Sequence, residues 1–194
     1  AHHYPDTPNL GNMTKHQEWS LAPIGLVCGG TPCQAFSVAG QRRSMDDERG
    51  NLSITFCRIA DQFDPEWVLW ENVPGVLSTH DNAFGCFLAE LVGADEPFDA
   101  PGGKWPKWGV VTGPKRTAAW RVLDAQFFGV AQRRRRVFVL ASRGSRDWRS
   151  AAALFPVGES VHWNSAPSRE AGQATAQCLR TGTGKRYDPE TETI

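Results

Sequence analysis

The chain has 194 residues, enough for one domain or one domain plus part of another. With 40% hydrophobic and 22% charged residues it is not a disordered chain, a collagen or a coiled coil, and no apolar run is long enough for a membrane-spanning helix. Twenty-one basic and 21 acidic residues cancel, so a nucleic-acid partner would need a local basic patch.

The opening Ala1-His2-His3-Tyr4-Pro5-Asp6 has neither a basic n-region nor an apolar stretch and does not read as a signal peptide. Gly25-Leu26-Val27-Cys28 reads as a buried strand stopped by Gly29-Gly30, with Cys28 in the core. From Asn51 to Phe63, residues Leu52, Phe56, Ile59, Ala60 and Phe63 share one helical face, and Asp64-Pro65 ends the helix. Trp67-Val68-Leu69-Trp70 is a second strand, and Glu71-Asn72-Val73-Pro74-Gly75 is the turn after it. Phe84 to Val92 is a short helix, and the Gly-, Pro- and Trp-rich stretch from Gly93 to Pro114 reads as a long connection. Ala119 to Ala125 and Val137 to Ser142 are two further strands. Strand, helix, strand, helix in that order predicts an α/β domain with a largely parallel sheet, its site at the carboxyl ends of the strands. The pattern fades after residue 144, which places a first domain at 1–144 and the start of a second region at 145–194.

Five cysteines, none at CxxC spacing, argue against a disulfide scaffold or a zinc ribbon and for a reduced, cytoplasmic protein without a metal site. Cys33 stands apart. Gly29-Gly30-Thr31-Pro32-Cys33-Gln34-Ala35-Phe36-Ser37 puts it in a Gly/Pro loop after a strand, where backbone amides and cations can favour the thiolate. Most free cysteines, by contrast, are small buried hydrophobes. Glu71 follows four apolar residues, an environment that desolvates a carboxylate, raises its pKa and suits it to acid chemistry, although polar residues are common where strands turn. In Gln132-Arg133-Arg134-Arg135-Arg136-Val137-Phe138 the arginines lead into a strand, so Arg134 and Arg136 share one face. Two fixed guanidiniums can hold a phosphate or a carbonyl oxygen, and the rival reading is a solvated basic run.

The cysteine loop, then Glu-Asn-Val, then Gln-x-Arg-x-Arg, in this order, resembles the DNA (cytosine-5)-methyltransferase family. Asp47-Glu48-Arg49-Gly50-Asn51-Leu52 and Phe128-Gly129-Val130-Ala131-Gln132 extend the likeness, as does the Tyr4-Pro5 to Gly11-Asn12-Met13-Thr14 stretch, so that it runs from about His3 to Ser142. Ala131 stands where the family usually has proline, and Asn12 where it usually has aspartate. Cys178-Leu179-Arg180 is similar to a segment of the family's target-recognition region. The resemblance implies a Rossmann-like fold, S-adenosylmethionine as cofactor, double-stranded DNA as partner, and a bacterial or phage gene.

It also implies roles. Cys33 would add to C6 of a cytosine flipped out of the duplex, Glu71 would hold the N3 proton, and Arg136, together with Arg134, would bind the O2 side; Arg134 equally suits bracing the Cys33 loop. Gln34 and Ser37 would touch the DNA backbone, and Asn12, Met13 and Leu52 would lie near the cofactor. The family's Phe-x-Gly-x-Gly cofactor loop and its acidic ribose ligand are not in this sequence, so a chain resembling the middle of such an enzyme is expected to bind DNA weakly and to methylate nothing alone. A DNA-binding fragment without catalysis is the alternative. A thiol oxidoreductase is a third reading, opposed by the lack of a resolving cysteine.

Overall fold

Every strand expected from the sequence forms, and one more appears that no apolar run announced. The computed structural model describes residues 5–32, 52–129 and 131–154. Its regular elements are β1 (Leu26–Gly29), α1 (Leu52–Phe63), β2 (Trp67–Asn72), α2 (Ala83–Val92), β3 (Trp108–Thr112), β4 (Arg116–Asp124), β5 (Arg135–Arg143) and α3 (Arg149–Leu154). Asp64 adopts a positive φ of 39° immediately after α1, where Asp64-Pro65 was expected to stop it. β3 corrects the long connection expected from Gly93 to Pro114. Its Gly109 and exposed Trp108 mask the alternation that a half-buried strand normally shows.

The five strands form one mixed sheet in the order β1-β2-β5-β4-β3. Only β1 and β2 are parallel; β2/β5, β5/β4 and β4/β3 are antiparallel. The largely parallel sheet expected from the sequence is therefore corrected. α1 carries the chain across from β1 to its parallel neighbour β2, whereas Gly113-Pro114-Lys115 and the loop after β4 are too short to return a chain in parallel. The result is a mixed five-stranded sheet with helices packed on it, an α/β fold as expected.

α2 covers one face of the sheet through an aromatic cluster. Trp70 stacks on Phe87 with ring centroids 4.1 Å apart, and Phe84 meets Trp105 and Trp120 edge-on at 5.3 and 5.5 Å. Trp105 comes from the connection before β3, and its Nε1 donates to Asn82 Oδ1 at 3.0 Å. Trp120 lies across the strand pair because its register partner is Gly109; a Cβ there would overlap the indole. Behind α1, the buried Arg116 donates to Asp61, to Ala60 O and to Leu91 O, which ties β4 to the ends of both long helices. α3, beyond residue 144, packs on β4 through Ser150, whose hydroxyl donates to Thr117 O at 3.1 Å.

Cys28 is exposed, which corrects its expected place in the core: β1 is the end strand of the sheet, and its alternation turns Leu26 and Cys28 outward. Cys57 is fully buried in α1, and burial, with Glu90 and Asp61 nearby, pushes its thiol pKa up. Cys86 is also raised, first by burial and then by Asp81.

Candidate active site

The carboxyl ends of β1 and β2 meet the entry of β5, and three of the expected site residues come together there. β2 runs to Asn72, so Glu71 lies in the strand and not in the turn expected for it. Val68, Trp70 and Asn72 face the aromatic core, which leaves Glu71 on the opposite, half-exposed face. Glu71 is opposite Phe138 in register, so Arg136 is its diagonal neighbour on the same face. Arg136 Nε reaches Glu71 Oε1 at 2.9 Å, and an Arg134 terminal nitrogen reaches the same oxygen at 3.6 Å. The apolar surroundings expected for Glu71 are thus replaced by two guanidiniums, because the β2/β5 pairing brings the arginine run alongside it. A partly exposed pair of this kind adds at most about 1 kcal/mol to stability. What it sets is direction: the carboxylate and both guanidiniums share one patch.

The start of the cysteine loop runs over this patch and is tied down. A Cβ at Gly30 would sit 3.1 Å from Glu71 Oε2 and 3.3 Å from Glu71 O, so glycine permits the close approach. The next residue, Thr31, is buried. Its carbonyl accepts from Asn72 Nδ2 at 3.0 Å, its Oγ1 accepts from Trp70 Nε1 at 2.9 Å, and its hydroxyl pairs with Ser53 Oγ at 2.6 Å. The ring of Pro32 then restricts Thr31 to extended backbone. Cys33, Gln34 and Ser37 lie outside the described residues, as do Asp47 to Asn51 and Cys178 to Arg180. Thr31, Asn72, Ser53 and Trp70 escaped the sequence reading. The Glu-Asn-Val motif was their one signal, since an asparagine at the end of a strand is placed to hold neighbouring backbone.

Of the residues expected near the cofactor, Asn12 and Met13 lie ahead of β1 and Leu52 begins α1. Asn12 caps a short 3₁₀ helix, Met13–Glu18, its side chain accepting from Thr14 N at 3.0 Å; that helix is fixed to α1 by Gln62, whose Nε2 donates to His16 O at 3.0 Å. Met13 packs on the core and Leu52 is half-buried.

A sequence model of the C-5 cytosine-specific DNA methylases matches residues 2–177. The chain belongs to this family. For a C-5 cytosine-specific DNA methylase, the family implies S-adenosylmethionine as methyl donor and DNA as substrate. Met13 and Leu52 suit the apolar parts of that cofactor; Asn12 Oδ1 is already engaged, and none of the three is a carboxylate that could take ribose hydroxyls. These residues therefore fit part of the group and not the whole.

The chain is 45% identical to a DNA N-6-adenine-methyltransferase of Escherichia phage P1, over 97% of this chain and 30% of that protein. It is 34% identical to the type II methyltransferase M.AquIA of Picosynechococcus, over 72% of this chain and 55% of that protein. It thus spans 30% and 55% of the lengths of these two relatives. A solved DNMT2 from Spodoptera frugiperda is 22% identical, with a TM-score of 0.44, over 76% of this chain and 39% of that one. Among the described residues no helix is long and apolar enough to cross a membrane, and no cluster of three metal-ligating side chains occurs.

Proposed function

We propose that this chain carries the cytosine-methylating chemistry of a DNA (cytosine-5)-methyltransferase, with Cys33 as nucleophile, working on double-stranded DNA in a bacterial or phage-infected cytoplasm. The observation that carries the reading is the Glu71–Arg136–Arg134 patch at the exit of the loop that leads to Cys33. Residues 1–144 form the catalytic part and 145–194 begin target recognition.

Carbon 5 of cytosine is a poor nucleophile. Addition of the Cys33 thiolate at C6 forms an S–C bond and moves the ring electrons toward N3 and C5. Glu71 holds a proton at N3 as that charge develops, and Arg136 and Arg134 orient Glu71 and face the O2 side, where guanidinium hydrogen bonds stabilise the charged ring. S-adenosylmethionine supplies an electrophilic methyl when bound, with Met13, Leu52 and Asn12 as its proposed contacts here. Once C5 carries the methyl, loss of its proton and expulsion of the thiolate restore the aromatic ring and free Cys33. The reacting faces are inaccessible in a stacked duplex, so the base is flipped, with Gln34 and Ser37 proposed against the backbone.

The name of the phage P1 relative points to adenine N6. An exocyclic amine has its own lone pair and needs no covalent nucleophile, so a cysteine loop beside Glu71 favours carbon methylation. The test is methyl transfer by the full-length protein to duplex DNA, with the modified base identified by mass spectrometry, alongside trapping on duplex DNA containing 5-fluorocytosine. 5-Methylcytosine and a covalent complex that disappears in Cys33→Ser are expected. N6-methyladenine alone, or full activity in Cys33→Ser, would overturn the reading.

A further inference from the structure

The arginine run is divided between two carboxylates. Glu71 takes Arg134 and Arg136 on one face of β5. Asp124, at the end of β4, is the register partner of Arg135 and takes its Nε at 3.8 Å on the other face. Asp124 has no part in the chemistry above, yet its side chain is only 10% exposed and carries several bonds. Oδ1 accepts from Gln126 N at 3.2 Å and from Arg134 N at 3.0 Å, and Oδ2 accepts from Gln126 Nε2 at 2.8 Å. Ala125 N donates to Arg134 O at 3.0 Å, so both backbone polar groups of Arg134 are held at the end of β4.

We propose that Asp124 is a positioning residue for the arginine pair at Glu71. By closing the loop between β4 and β5 onto its own carboxylate, it sets where the Arg134 backbone lies, and with it Arg136 two residues on. Drawing Arg135 to the far face leaves Arg134 and Arg136 as the arginines of this run that meet Glu71 among the described residues. The inference rests on the functional reading of Glu71, Arg134 and Arg136. Its structural rival is that Asp124 only caps the 3₁₀ helix Ala125–Phe128 through Gln126 N.

Three substitutions in the full-length protein separate these. Asp124→Asn keeps an acceptor for Arg134 N; Asp124→Ser can still cap Gln126 N but is too short to hold Arg134 as well; Asp124→Ala removes both. The readouts are kcat and KM for duplex DNA, and hydrogen exchange of residues 131–136. Asp124→Ala and Asp124→Ser are expected to lower kcat by roughly 10- to 100-fold, the scale of a 1 Å misplacement of catalytic groups. KM should stay within about threefold, Arg134 should exchange faster, and Asp124→Asn should rescue both readouts. Wild-type kcat in Asp124→Ser, or an equal loss in Asp124→Asn and Asp124→Ser, would overturn the proposal. If Asp124→Ala fails to fold, the Asn/Ser pair decides. If the wild-type protein transfers no methyl group, the functional reading fails while exchange still tests the clamp: unchanged protection of Arg134 in Asp124→Ser refutes it.

Discussion

Replacing Thr31 by valine keeps the shape of the side chain and removes one hydroxyl. That hydroxyl is buried and is the acceptor for Trp70 Nε1–H at 2.9 Å. Trp70 cannot turn to find another partner, because its ring is 1% exposed and stacked on Phe87. An indole N–H left without an acceptor in such a place costs about 1–3 kcal/mol, and loss of the 2.6 Å bond to Ser53 adds about 0.5–1.5. A total near 2–4 kcal/mol corresponds to a fall of roughly 4–16 °C in Tm for a chain of this size. Thr31→Ser keeps the hydroxyl and should lose less than about 1 kcal/mol, mostly the buried methyl. Urea unfolding of both variants, followed by tryptophan fluorescence, measures the difference. Should Thr31→Val fall within about 0.5 kcal/mol of Thr31→Ser, the indole N–H does not depend on Thr31, and the loop is anchored by its carbonyl bond to Asn72 alone.

Gly109→Ala places a methyl against the Trp120 indole and should destabilise by about 1–3 kcal/mol, read as a lower urea midpoint with unchanged slope. Asp147 is held below the ordinary carboxylate range by hydrogen bonds from the Arg149 side chain and then its backbone N–H. A depressed folded pKa gives stability that is present above the unfolded value of about 3.9 and is lost as pH falls through the lower folded one. Asp147→Asn should therefore flatten the stability–pH slope below about pH 4, and an unchanged slope would show that other carboxylates carry it. Iodoacetamide at pH 8 should label Cys28 readily and Cys57 only on unfolding, as peptide mapping can establish, because burial holds the Cys57 thiol up and out of reach.

Elements built on repeating apolar positions were legible in the sequence: α1 by its one-sided face, β2, β4 and β5 by their runs. β3 was not, because its burial comes from Trp120 lying over Gly109, a contact with another strand. Strand direction was also out of reach, since it follows from how short the connections after β3 and β4 are once they are known to be connections. In the site, Glu71, Arg134 and Arg136 could be picked by motif, and alternation along a strand correctly put both arginines on one face. Thr31 and Asp124 could not. Each is an ordinary polar residue whose importance lies in groups brought near by folding, Trp70 and Asn72 for one and Arg134 for the other.

The mixed sheet also sets an order of assembly. β3, β4 and β5 follow one another as antiparallel neighbours, so their pairing closes short loops and is cheap in chain entropy. β1, α1 and β2 form a second local unit, a parallel pair with its crossover helix. The two units join along one seam, where Trp67 to Asn72 pair with Ser142 to Val137, the most distant pairing in the sheet. Glu71 belongs to one unit and Arg134 and Arg136 to the other. The ion-paired patch therefore does not exist in either half and appears only when the seam closes, so a chain halted in folding, or cut between α2 and β3, keeps much of its secondary structure and has no site.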